Sequence, residues 1–160
     1  MKNKLTLLVA LWLCCLSMQA VVHYVKPATA DAGVWAGQTV YNDVTSAIAA
    51  AASGDEIWIA GGTYEIGVGG INYNVAKNLK LYGSFAGTET SIDERAKVSG
   101  GEEWEFANPT VLKMTVGASC LYVNESSITA TFDGLTIDGN NISGTCGINA
   151  NNSRNKENYG

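Results

Sequence analysis

At 160 residues the chain has room for one domain or part of one, and its 15 acidic against 10 basic side chains set the formal net charge at −5. An acidic chain without a basic stripe repels phosphate backbones, which argues against nucleic acid as a partner. With one histidine, His23, a Ser-His-Asp triad or a Cys/His zinc site has almost nothing to be built from.

The first twenty residues stand apart. Lys2 and Lys4 precede an uncharged apolar run from Leu5 to Leu16, and Ser17-Met18-Gln19-Ala20 offers a small residue at the cut. That is the pattern of a secretory signal peptide over 1–20, leaving a domain over 21–160 with no expected transmembrane segment. Met18 stands where a small residue is preferred, so the signal is better defined than its cleavage point. A lipobox around Cys14 or Cys15 fits poorly, and an uncleaved N-terminal anchor is the bland alternative. Removal of 1–20 takes away two lysines and no acids, moving the charge from −5 to −7. Cys120 and Cys146 remain, and a disulfide is possible in an exported protein, although their strand phases place them on opposite faces.

Val21 to Val25 is a short β-prone run that Pro27 ends, and it reads as an edge strand. Ala28 to Gln38 is a small, Gly-rich loop whose Trp35 folds back onto the body. The chain is organised around the next stretch, 42–64. Asn42 or Asp43 supplies an N-cap, Val44, Ile48 and Ala51 form one apolar face, and Gly54 ends the helix. In Glu56 to Ala60, alternation puts Ile57 and Ile59 on one side and Glu56 and Trp58 on the other. Strand character recurs at Thr63–Ile66 and Asn78–Gly83, with Leu79 and Leu81 inward, and then at 110–114, 120–123, 130–132, 135–137 and 147–150. Thr88 to Phe106 is polar and charged and reads as an irregular excursion outside the core.

Leu121 aligns with Ile148 and Val123 with Ala150, and strand–turn–strand recurs at intervals that suit a solenoid. An antiparallel β-sandwich also accommodates short strands at such spacing. Trp58, Tyr64 and Tyr82 fall at outward phases of successive early strands, which suits stacking on sugar rings. The competing reading is that Trp35, the charged loop or the strand next to the signal segment packs over them. Asp133 and Asp138 each stand in an Asp-Gly pair, where Asp caps a turn and Gly supplies positive φ.

Tyr24-Val25-Lys26-Pro27, Trp35-Ala36 and Gly54 to Tyr64 together resemble the start of secreted right-handed parallel β-helix proteins of the pectate-lyase-like superfamily. Leu81 to Thr90, Asp93-Glu94-Arg95 and Asn108 to Leu112 look like the variety found in exported and surface proteins of Bacteroidetes-type bacteria. Phe132 to Ile137 is similar to that family's repeating coil motif. The resemblance implies an all-β fold, a right-handed parallel β-helix solenoid with a short N-terminal capping helix, incomplete at the C-terminus. It further implies an exported protein at the outer-membrane surface, outside the cell or in the periplasm.

The superfold hosts many functions, so the resemblance is weak for activity. Family lyases pair calcium-binding carboxylates with an Arg or Lys base. Here Arg95 and Arg154 are the two arginines, and neither is expected on a strand beside Asp133 or Asp138. The family's esterase pattern Gly-x-Tyr-x-Glu is broken, because Gly62-Thr63-Tyr64 is followed by Glu65 and then Ile66. No catalytic residue, metal or cofactor is therefore assigned. The expectation is a non-enzymatic adhesin, scaffold or glycan-binding module whose partner is a polysaccharide or cell-surface glycan. The alternatives are the N-terminal part of a polysaccharide lyase or other carbohydrate-active enzyme with its active site beyond residue 160, and a nonfunctional gene fragment.

Overall fold

The computed structural model describes residues 20–31, 33–72, 77–123 and 127–150, so the expected signal segment lies outside the described residues. Helix α1 (Val44–Ala50) starts where Asp43 accepts a hydrogen bond from the Ser46 amide at 2.7 Å, satisfying one of the first turn's free N–H groups. Gly54, at φ +99°, makes the turn that follows. Val44, Ala47, Ile48 and Ala51 are buried together in the main core. A seven-residue helix gains little from propensity alone; that apolar stripe holds it in place.

Eleven strands follow in chain order: β1 (Val22–Val25), β2 (Val40–Tyr41), β3 (Glu56–Ala60), β4 (Gly62–Ile66), β5 (Ile71–Asn72), β6 (Leu79–Phe85), β7 (Thr110–Met114), β8 (Ser119–Val123), β9 (Ala130–Asp133), β10 (Leu135–Asp138) and β11 (Cys146–Ala150). They form three sheets, ordered β2-β1-β3-β6-β9, β10-β7-β4 and β11-β8-β5. Every pairing between these strands is parallel, so the antiparallel sandwich is set aside.

The expected right-handed parallel β-helix solenoid with a capping helix is corrected as well. The strands divide among three small, separate sheets, and no solenoid or helical stacking is shown. The sequence intervals are also uneven. Lys80 pairs back to Glu56 but forward to Thr131 across a stretch about twice as long, because the excursion from Thr88 to Phe106 intervenes. What stands is a strand-rich, mostly parallel all-β class with one short helix. Within it, the alignment of Leu121 with Ile148 and Val123 with Ala150 coincides with the β8–β11 register. The β1 segment is not an edge, since it lies between β2 and β3.

The first sheet is covered on both faces. Ile57, Ile59, Leu79 and Leu81 enter the main core, while Trp58, Ala60, Trp35 and Phe85 form a second cluster. Trp35 does fold back, lying 5.0 Å from the Tyr24 ring and 5.7 Å from Phe85. The β3–β6 register shifts between Trp58 and Ala60, beside Ser84, whose φ is +69°. That extra residue turns Phe85 to the Trp58 side, where the two rings stack at 4.8 Å.

Candidate functional site

The excursion from Thr88 to Phe106 is anchored more firmly than its composition predicts. Glu89 is buried, and its carboxylate accepts from the amides of Ala86, Gly87 and Thr88 at 2.7, 2.8 and 3.0 Å. Burial pushes its pKa up, but these hydrogen bonds outweigh it and the net shift is downward. Arg95 is the second anchor, only 8% exposed. Its guanidinium donates to the Ile92 carbonyl at 2.9 Å, the Gly83 carbonyl at 3.0 Å and the Asp133 carboxylate at 2.6 Å. It also lies 4.4 Å from the centre of the Phe106 ring and 5.4 Å from that of Phe85, close enough for cation–π attraction. Arg95 stands on no strand, yet its side chain reaches Asp133 from the loop and pairs with it. A Cβ on Gly134, at φ +67°, would come within 2.8 Å of that guanidinium, so this turn needs glycine for both conformation and space.

Between this anchored loop and the β9–β10 turn lies a cleft of about 570 Å³. Its walls include Trp104, Glu105 and Phe106 on one side and Asp133 to Thr136 on the other. Trp104 is 72% exposed and presents a flat apolar ring on the cleft wall. Both carboxylates of the cleft have partners: Asp133 holds Arg95, and Glu105 accepts from the Glu102 amide at 3.0 Å. Nearby, the Ser84 hydroxyl donates to the Gly134 carbonyl at 2.8 Å, and the Ser84 amide donates to Thr110 Oγ1 at the same distance.

The aromatics singled out from the sequence are placed differently. Tyr64 is 5% exposed and belongs to the main core, so its expected outward phase is corrected; Trp58 keeps its expected phase opposite Ile57 and Ile59 but is likewise 5% exposed, because Trp35 and Tyr24 pack over it. Trp58 lies under Trp35's cluster with its indole N–H on Glu56 at 3.1 Å. Tyr64 faces the main core and donates its hydroxyl to the Ala60 carbonyl at 2.9 Å, and burial pushes its phenol pKa up. The turn at Gly61–Gly62 resets the side-chain phase, which alternation read through the turn could not anticipate. Tyr82 is half-buried near Arg95, 5.7 Å from ring centre to guanidinium. The structure does not bring the three rings to one open surface.

Asp138 is a turn cap, its Oδ1 accepting from the Asn140 amide at 2.8 Å. Cys120 is a free, buried cysteine whose thiol pKa is pushed up to about 11 by burial, making it an inert core side chain. Arg154 lies outside the described residues. Among the described residues, no group of three or more His, Cys, Asp or Glu side chains could hold a metal ion, and no helix is long and apolar enough to cross a membrane. No family model, no curated protein and no solved structure matches this chain.

Sequence reasoning missed Trp104 and the role of Arg95. The available signal was a lone tryptophan among acids in Glu102-Glu103-Trp104-Glu105, a stretch with no apolar periodicity to bury it.

Proposed function

We propose that the chain is an exported, non-catalytic glycan-binding module that holds a saccharide in the cleft beside Trp104. The observation that carries this reading is the exposed indole on the wall of an open cleft whose carboxylates are already engaged. A flat apolar ring next to hydroxyl, carbonyl and carboxylate groups matches a pyranose, which offers one C–H-rich face and a rim of hydroxyls. The guanidinium in this region is committed to two carbonyls and Asp133, so it neither receives a uronate nor removes a ring proton. Among the described residues the lining holds Glu105 and Asp133 and no basic side chain, so the cleft suits uncharged sugars better than acidic ones. Export is supported by the basic, apolar and small-residue order of residues 1–20.

The experiment is titration of the processed protein with neutral and acidic polysaccharides, followed by tryptophan fluorescence and calorimetry. Trp104→Ala is expected to weaken binding of the neutral polymer about tenfold or more. Its folding stability is expected to stay within about 0.5 kcal/mol, because the side chain is exposed. Binding that is absent, or unchanged in Trp104→Ala, refutes the glycan reading. Release of unsaturated products from a uronate polymer refutes its non-catalytic part.

A further inference from the structure

We propose that export processing cuts the Ala20–Val21 bond and that Asp55 receives the α-ammonium so released, closing an ion pair already built into the fold. The inference rests on export and is independent of glycan binding. Val21 N lies 3.0 Å from Asp55 Oδ1. The acceptor is 7% exposed and is held through its other oxygen, which accepts from the Ala52 amide at 2.7 Å and faces His23 Nε2 at 3.0 Å. The Val21 carbonyl accepts from the Glu56 amide at 3.0 Å, and Val22 pairs with Glu56 at the start of β1. The backbone at Val21 is therefore fixed in place by the sheet. Ala20 is exposed, so its loss removes no packing.

Cleavage is a hydrolysis. Water supplies the hydroxyl that turns the Ala20 carbonyl into a carboxylic acid and the hydrogen that turns Val21 N into an amine. At neutral pH the acid ionises and the amine takes up a proton. In the uncut chain the Val21 amide is an uncharged donor and gives the Asp55 carboxylate one hydrogen bond. In the cut chain the same nitrogen, at the same distance, carries a full positive charge. The second charge adds direct Coulomb attraction to a bond whose acceptor is already ionised, and that attraction is stronger where water is partly excluded.

The other charged groups at this corner have partners. Glu56 pairs with Lys80 at 3.1 Å and accepts from Trp58. Lys77 donates to the carbonyls of Ile48 and Ala49 at 2.9 and 3.1 Å. His23, whose ring lies 6.0 Å from Tyr41, is the remaining group on Asp55, and protonated His23 would share that carboxylate. Asp55 is prepared for the role: burial pushes its pKa up, but the bonds from Val21, Ala52 and His23 bring it below its ordinary value. It is thus an anion at neutral pH, where the amine is a cation.

The test uses the exported product and two further forms. N-terminal sequencing and intact mass of the exported protein are expected to show Val21 as the first residue. The α-amine, titrated by NMR, is expected about one unit above its ordinary range of roughly 7.7–8.0, and back within it in Asp55→Asn. A protein beginning at Ala20 is expected to melt a few degrees lower at pH 7. A folded-state pKa above the unfolded value stabilises fully below the unfolded value and is lost as pH rises through the folded one. The two melting temperatures are therefore expected to converge at about pH 11. A first residue other than Val21, an ordinary α-amine pKa or equal melting temperatures at pH 7 overturns the proposal. If Asp55→Asn does not fold, the Ala20 form carries the test, since it keeps every buried bond.

Discussion

Replacing Arg95 with methionine separates the two things this side chain does. Methionine fills similar volume on Phe106 and Phe85 but removes the charge and the donors to Ile92, Gly83 and Asp133. Breaking a buried pair by deleting one partner costs about 3–5 kcal/mol. The lower end applies here, because the Asp133 side chain is 45% exposed against 7% for Arg95 and hydrates when its partner leaves. The expected loss is therefore about 3 kcal/mol. Asp133→Asn is the informative companion. The amide oxygen can still accept from the guanidinium, and both carbonyl bonds and the ring contacts survive, so about 1 kcal/mol is expected. Urea denaturation followed by tryptophan fluorescence measures both. Arg95→Met within 1 kcal/mol of the parent would refute the claim that this residue anchors the loop. Equal losses in the two variants would refute the assignment of most of the anchoring to the carbonyls and rings.

Thr110→Val leaves the Ser84 amide without its buried acceptor and removes the donor to the carbonyls of Ile59 and Ala60, both at 3.1 Å. A loss of about 1–3 kcal/mol is expected by the same denaturation assay, against about 1 kcal/mol for Thr110→Ser, which keeps the hydroxyl and loses one methyl. Glu89 predicts an acid weakness. Its folded-state pKa is depressed, so its contribution is complete above the ordinary value of 4.5 and is lost as pH falls through the lower folded value. Melting curves from pH 6 down to pH 2 are expected to show a smaller loss of stability in Glu89→Gln than in the parent, and parallel curves would count against the assignment.

What was legible in the sequence was local. The Asp43 cap, the Val44–Ile48–Ala51 face and the inward phase of Ile57 and Ile59 all depend on residues within one turn or a few positions along a strand. The β8–β11 register was legible because Leu121 and Val123 are repeated in pattern by Ile148 and Ala150, although β9 and β10 lie between them. Tyr64 was misplaced because two glycines interrupt the alternation that was being extrapolated. Arg95 was misread for a different reason. A cation in a polar stretch reads as solvated, and its burial follows from Asp133, 38 residues further along the chain, together with rings from two other segments. The division into three sheets, in place of one solenoid, likewise lives in long-range pairing that no window of sequence contains.

All the ladders between named strands are parallel, and this governs the order in which structure can appear. A parallel pair cannot close through a tight turn. Even the pair nearest in sequence, Tyr24 with Val40, must first enclose the loop that carries Trp35. Among the described residues the only antiparallel pairing is the isolated bridge between Lys97 and Phe106, so every ladder between named strands has to offset a loop-closure entropy before its first hydrogen bond stabilises it. A chain of this kind folds late, after widely spaced segments are all present.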